Sequence, residues 1–531
     1  MTAFPSNIKI RNVIPYWRHF AEAVKLGEVV SLKDNISVPV IPIMSYIHDW
    51  ESTHSIATGG DLISAAIMNG QVDLPIVKTV AEYLLERDEE LSFHLKHIAQ
   101  QVLLGKRQGN LSSYSIDALL DNRDDLIRHV RILKHYNSIY SQNPVAYVEL
   151  AFYYSQLGNI EKARDMIEIA LRIAPHQRFI SRSAARFFMH TGEMDRAHYV
   201  LSHNESVKRD PWILASEIAV STVIEKKSPY LKNGINLLSA DISPYELSEL
   251  GSAIGTVEML YGSRKKARQA ISIATKTPND NGLAQAVWWA RYYGETVDFV
   301  LEKSMSSLYE AQAIQDLFND QYNECLTSAI KWLGQMPCSK RAVLFASEIA
   351  YTYTKEYETA NKILNVGLKA NPQDPVMLNN LAYSYALQGN VLQAEQTLKV
   401  LHDVIKNNKS IREQVCYDAT CGLTEYRRGN FSEGAELYKK AIAQAIECKD
   451  DKLANLAMLN FIREEVRSNA LLDTTILEHL DDFVCENQKE ANQIKKDILE
   501  IFNSNLHNFQ TVSPSPANNF AHSQSPIANN P

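Results

Sequence analysis

The sequence predicts an all-α chain assembled from repeated helical hairpins, and three observations carry that reading. The stretch "PVAYVELAFYYSQLGNIEKARDMIEIALRIAP", Pro144 to Pro175, has apolar residues at helical spacing on both sides of Leu157-Gly158-Asn159. That is the pattern of helix, tight turn, helix. A second stretch, "PVMLNNLAYSYALQGNVLQAEQTLKVL", begins at Pro375 and keeps the same order, so that Ala151, Tyr154, Gly158 and Ala163 align with Ala382, Tyr385, Gly389 and Ala394. Weaker copies start near Arg178, Ser248, Ser306, Arg341 and Val415, and the steps from 144 to 178 and from 341 to 375 are both 34 residues.

This period and residue pattern, with the closing Pro175, resemble the tetratricopeptide repeat (TPR) family over roughly residues 140 to 470. The resemblance implies a right-handed helical-hairpin repeat solenoid. Small residues at the eighth and twentieth places of each repeat let two antiparallel helices approach closely. Ala185 with Ala197, Gly255 with Ala267 and Gly422 with Gly434 keep that arrangement. Glu348 in the copy at Arg341, and Cys325 opposite Ala313 in the copy at Ser306, depart from it and mark irregular repeats.

Residues 1–140 do not fit the repeat and read as an α-helical N-terminal region, a cap for the array or a second partner site. Within it "PVIPIM", Pro39 to Met44, reads as extended, because proline restricts the residue before it. Residues 141–281 form the first half of the TPR-like array, 282–305 an irregular helical pair, and 306–470 the second half. The stretch 212–247 is helical but loses the signature. C-terminal helices occupy 471–502, and the Pro-, Ser- and Asn-rich segment 503–531 is expected to be a disordered tail.

Composition narrows the function classes. The formal charge of −8 gives no net attraction to phosphate backbones, and six scattered cysteines never take the two-residue spacing of zinc or redox pairs. The basic run "SRKKAR", Ser263 to Arg268, is the one local patch of interest for nucleic acid, and it reads as a solvated face behind a Ser263 cap. No export signal or membrane-length apolar run stands out, so a cytoplasmic protein without a membrane partner is expected. No catalytic motif, cofactor loop or metal ligand set is evident. His94 with His97 reads as two surface histidines, and the acidic pairs Glu89-Glu90, Asp124-Asp125 and Asp481-Asp482 read as solvated faces. Serine-proline steps at Ser513, Ser515 and Ser525 are candidate modification sites that Pro-rich disorder explains equally well.

The stronger signal concerns binding. Arg178, Arg182 and Arg186 lie along one side of a helix, at the first, fifth and ninth places of their repeat. The TPR resemblance implies that the fifth and ninth places face the concave groove. Arginines there would suit an acidic or carboxylate-bearing segment of a protein or peptide, with a solvated arginine face as the competing reading. The same projection sends Asn379 and Tyr383 toward the groove with Asn380 beside them, although Ala346 and Thr420 interrupt any asparagine ladder. In "AVWWARYYGE", Ala286 to Glu295, apolar residues cover most of the helix circumference, which reads as a packing element; Trp288 and Tyr292 are the rings placed to reach the groove beside Gln285.

The function expected is a protein–protein interaction scaffold or adaptor that binds a partner segment in the concave groove of the solenoid. Two alternatives stand beside it: a regulatory or targeting subunit whose N-terminal region carries an activity of its own, and a peptide-sensing regulator. Against the last, the region from Asp61 to Glu90 holds Lys78 and Arg87 among seven carboxylates.

Overall fold

The computed structural model describes residues 11–17, 43–68, 74–87, 116–295, 308–406, 410–468, 475–483 and 489–512, with isolated positions between 71 and 103. Among the described residues every regular element is helical. The chain divides into two compact units, Thr2–Leu381 and Ala382–Pro531.

In the first unit successive helices pack as TPR-like hairpins: Pro144–Gln156 with Ile160–Ile173, Arg178–His190 with Met194–Ser202, Pro211–Val223 with Leu231–Leu238, and Ser248–Tyr261 with Arg264–Ala274. Helix Asp280–Tyr293 follows, packed against Ser248–Tyr261 on one side and Tyr309–Phe318 on the other. The remainder of the irregular pair expected at 282–305 lies, from residue 296, outside the described residues. Tyr309–Phe318 pairs with Tyr322–Gln335, and Lys340–Glu348 with Tyr357–Ala370.

Repeat starts follow from capping. Asn143 and Asp210 each precede a proline at the first helical position, and their side chains accept from the amides of Val145 and of Trp212 and Ile213. The turns follow from glycine. Gly158 adopts φ +74° and Gly389 +87°, and in both copies the next residue closes the helix end, Asn159 N to Tyr154 O and Asn390 N to Tyr385 O, each at 2.9 Å. The small-residue pairs are also where the register places them: Ala151, Ala163, Ala185 and Ala197 are fully buried.

The two irregular repeats resolve differently. Cys325 donates its thiol to the Ala313 carbonyl at 3.1 Å, so sulfur fills the place of a small residue. The Arg341 copy, with Glu348 in that place, breaks its helix into a π-turn at Ile349–Tyr353, where the amide of Thr354 bonds the carbonyl of Ile349.

One apolar core spans the repeats from Val130 to Ala270 and takes in Cys338 and Ala370, and Val13 and Trp17 belong to it. Helix Tyr357–Ala370 reaches back to touch Pro144–Gln156, and the Gly158 turn stands against the Lys369 carbonyl. The stack of the first unit therefore curls until its last hairpin meets its first. Helix Arg123–Ile139 packs on Pro144–Gln156 at the array's start. Helices Ile43–Thr53, Ile56–Met68 and Pro75–Leu85 share a core of their own around Trp50, Leu62, Ile63, Val77, Val80 and Leu84. Ile43 and Met44, expected to be extended, begin the first of these, since no proline follows them to forbid the α region.

The second unit stacks Val391–Ile405 on the pair Ile411–Arg428 and Phe431–Glu447, followed by Asp451–Arg467 against Lys489–Val512. A Cβ on Gly422 would stand 3.0 Å from the Gly434 carbonyl and the reverse is equally true, which is why both helices carry glycine at the crossing. The last helix continues to Val512, past the boundary of 502 read from sequence. Proline first interrupts the chain at Pro514, and the Asn505 side chain holds the Val466 carbonyl at 2.9 Å. Residues 513–531 of the expected tail, with the Ser-Pro steps, lie outside the described residues, as do Glu89, Glu90, His94 and His97.

Replacing Gly389 by alanine costs the left-handed conformation alone, about 1 kcal/mol, because no atom lies within 4 Å of the added Cβ. Gly158→Ala adds a 2.6 Å encounter with the Lys369 carbonyl and should lower the urea midpoint further. Equal losses for the two variants would mean that the first and last hairpins of the unit are not in contact in solution.

Candidate functional site

The inner surface of the first unit is occupied by an extended stretch of the same chain, Arg11–Trp17, "RNVIPYW". Side chains from successive repeats hold it. Arg11 is 4% exposed; its Nη1 donates to Gln285 Oε1 at 2.9 Å, Nη2 to Asn281 Oδ1 at 3.1 Å, and Nε to Glu310 Oε1 at 3.1 Å. Asn281 also donates its amide to the Ile14 carbonyl at 3.0 Å, so one side chain fixes both a guanidinium and the backbone three residues on. The Tyr16 hydroxyl donates to the other oxygen of Glu310. Trp17 is edge-on to Phe152 and Phe187, with ring centroids 5.3 and 5.7 Å away, and near His190.

Glu310 is the hub. Its buried carboxylate pairs with Arg11 Nη2 at 3.0 Å and with Arg341 Nη2 at 2.9 Å. Burial opposes its ionisation, yet Arg11 and Arg341, with the hydrogen bonds from Arg11 and Tyr16, hold it below its ordinary carboxylate value. The helix that carries it is fixed by the preceding repeat: Asp280 accepts the amides of Glu310 and Ala311 at 3.2 and 3.0 Å, capping Tyr309–Phe318 from outside its own hairpin. Gln285 is oriented from the other side, donating to Thr256 Oγ1 at 2.8 Å.

A second group of cations lies beside Tyr16 and Trp17. Burial and the nearby Arg341 lower the Arg186 guanidinium to about 10, and no carboxylate bonds it among the described residues. Burial, with Arg186 and Lys340, pushes the His190 imidazole down to about 3, so it stays neutral. Burial raises the neighbouring Cys338 thiol to about 12, which leaves it unreactive at neutral pH.

The residues singled out from sequence take several places. Arg178 pairs with the buried Asp210 at 2.7 Å, and Arg182 pairs with the buried Glu249 at 2.6 Å with its guanidinium 5.1 Å from the Trp212 ring. Both thus have carboxylate partners within the array, and Arg186 is the member of the trio beside the bound segment. Trp288 and Tyr292 stack on each other at 5.0 Å; Trp288 packs against the cluster of Ala267, Ile271 and Trp289, and Tyr292 is 46% exposed. Asn281 and Gln285 are the side chains of that helix that reach the segment. Asn379 and Asn380 are buried, and the side-chain oxygen Oδ1 of Asn380 has no hydrogen-bond partner among the described residues.

In the second unit Tyr383 donates to Asn460 Oδ1 at 2.9 Å and accepts from Arg463, whose Nε bonds Glu464 at 2.9 Å; Arg427 completes that buried network at 3.0 Å from Glu464. Of the basic run, Arg268 forms a two-point bond with Glu295 at 2.7 and 3.0 Å, and the Ser263 side chain makes no cap bond.

Sequence reasoning missed Arg11, Tyr16, Trp17, Asn281, Glu310 and Arg341, and took Gln285 only as a marker of the groove side of its helix. A signal existed for part of them: Glu310 is the fifth place of the copy at Ser306, Arg341 the first place of its own, and Thr256 the ninth of the copy at Ser248. Asn281 and Gln285 sit in a repeat without the signature, and residues 11–17 precede the array.

No protein-family model and no curated protein sequence matches the chain. Among solved structures it is similar to yeast Tom70 (13% identity, 75% of this chain and 97% of that chain, TM-score 0.30). It is also similar to the APC/C hetero-tetramer Cut9-Hcn1 (11%, 86% and 92%, 0.28) and to Naa15/Naa10 bound to HypK-THB (12%, 88% and 77%, 0.23). At these TM-scores the likenesses carry no weight for the site. Among the described residues no helix is long and apolar enough to cross a membrane.

Two predictions follow from the electrostatics. Glu310→Gln leaves Arg11 and Arg341 buried without a carboxylate and should cost about 3–5 kcal/mol, whereas Arg11→Met leaves Glu310 paired with Arg341 and should cost less than half as much. Denaturant midpoints of the two variants measure the order, and an equal loss would contradict the hub role of Glu310. His190 has a folded-state pKa of about 3 against an ordinary 6.5, so the unfolded chain binds a proton that the folded one refuses. Its contribution is whole above about pH 6.5 and is lost as the pH falls toward 3, on the order of 1 kcal/mol per pH unit. His190→Phe should flatten the fall in stability between pH 6.5 and 5, and an unchanged slope would place the neutral histidine elsewhere.

Proposed function

We propose that this chain is a protein-interaction scaffold whose TPR-like first unit holds an extended polypeptide segment on its inner surface. The observation that carries the reading is Arg11–Trp17. Seven non-helical residues lie there against buried carboxylate, amide and aromatic side chains drawn from four repeats. Such a surface binds through preorganisation: its polar groups are already aimed by Asp280 and Thr256, so little ordering remains to be done when a segment arrives.

Acidic groups on a partner find Arg186 as their counterpart, since Arg178 and Arg182 are engaged by Asp210 and Glu249. Catalysis has no comparable support; the perturbed groups serve the packing of the segment and its cations. A cytoplasmic setting remains the expectation drawn from the sequence.

Arg186→Glu tests the proposal. Tagged full-length chain, isolated from its own cells, should recover its co-purifying proteins several-fold less well when it carries this substitution, with an unaltered helical circular dichroism spectrum. Unchanged recovery by the folded variant would remove the inner surface as the partner site.

A further inference from the structure

We infer that the inner surface of the first unit reads an extended segment bearing an arginine and, five and six residues later, a tyrosine and a tryptophan, and that Arg11–Trp17 is the chain's own resident copy, exchangeable for a partner's segment of the same chemistry. This rests on the scaffold reading above and specifies its ligand.

The spacing is read by two side chains. Asn281 spans from the Arg11 guanidinium to the Ile14 carbonyl, which sets the distance from the arginine to the fourth residue. Glu310 takes the Arg11 guanidinium across both oxygens and the Tyr16 hydroxyl on Oε2, which sets the fifth step, and Phe152 with Phe187 receives the tryptophan that follows. Pro15 keeps the stretch extended between those anchors. A segment without the arginine would leave Asn281, Gln285 and Glu310 facing an apolar group, and burial makes such a mismatch costly.

The surface is also built to be emptied. Glu310 keeps Arg341 as counter-ion when Arg11 leaves, Gln285 keeps Thr256, and the cap that Asp280 places on Tyr309–Phe318 involves no atom of the segment. Among the described residues no backbone–backbone hydrogen bond ties 11–17 to a helix. Its attachment is through side chains, and a chain in trans can reproduce every one of them. Tethering gives the resident an effective concentration on the order of 1 mM, so a competing segment must bind tightly or arrive when the resident is withdrawn.

The test uses the full-length chain and a fluorescein-labelled peptide, KIRNVIPYWRH, followed by anisotropy. The Arg11→Ala/Trp17→Ala chain should bind the peptide at least tenfold more tightly than the unsubstituted chain. Peptides with the arginine or the tryptophan replaced by alanine should each bind that variant at least tenfold more weakly. Failure of a folded variant to bind, or equal binding of all three peptides, overturns the proposal, and so does a variant that cannot fold, since the segment would then be permanent core. A concentration-dependent dimer of the unsubstituted chain that the double variant loses, seen by light scattering, would assign the segment to a second copy and overturn the cis assignment. The scaffold reading stands or falls separately, because Arg186-dependent partner recovery persists if only the peptide specificity is wrong.

Discussion

The first unit depends on how one carboxylate is kept charged in its interior. Glu310 is 1% exposed at its side chain, a position where an isolated anion would neutralise itself or unfold its surroundings. Two guanidiniums far apart in sequence, Arg11 and Arg341, make it tolerable, and the Tyr16 hydroxyl donates a further hydrogen bond. A buried pair of this kind contributes little net stability against an apolar substitute, but it discriminates strongly among what may sit there. That is the property required of a surface that must accept one extended segment and refuse others.

The geometry that gathers these groups is set by small residues. Alanine and glycine at the hairpin crossings bring paired helices close, and each hairpin then packs against the next. Added up from Pro144–Gln156 to Tyr357–Ala370, this packing curls the unit until its ends touch at Gly158 and Lys369. Only then do Phe152, Phe187, Asn281, Gln285, Glu310 and Arg341, spread over nearly two hundred residues of sequence, face a common interior. The π-turn at Ile349–Tyr353 follows directly on Glu348, the residue that departs from the small-residue pattern, which leaves Ser347 fully buried and Glu348 only partly so.

The arginine row at 178, 182 and 186 illustrates how a correct periodicity can hide different roles. The helix presents all three on one side, as the spacing of four requires, but Asp210 at a cap and Glu249 on a later helix engage the first two. Arg186 stays beside the segment without a carboxylate bond among the described residues, and burial together with the charge of Arg341 lowers its pKa. Likewise the four-ring helix Asp280–Tyr293 puts Trp289 in the core and the Trp288–Tyr292 stack beside Ala267, and it speaks to the segment through Asn281 and Gln285.

The sequence by itself determined the helical hairpins, their turns and their close crossings, because those follow from local chemistry: caps, glycine at positive φ, and the 3.6-residue period within one repeat. The TPR resemblance implied a groove-facing place for Arg182 and Arg186 alike, since a repeat register is a local property carried along the chain, but it could not tell that Glu249 would engage Arg182. Only the tertiary structure decided that Arg11–Trp17 would fill that surface and that Glu310 would be its hub. The segment precedes the array and carries no repeat, and its partners become neighbours only when curvature accumulated over seven first helices closes the unit. Contacts spanning as many as 299 residues leave no periodic trace for a sequence to display.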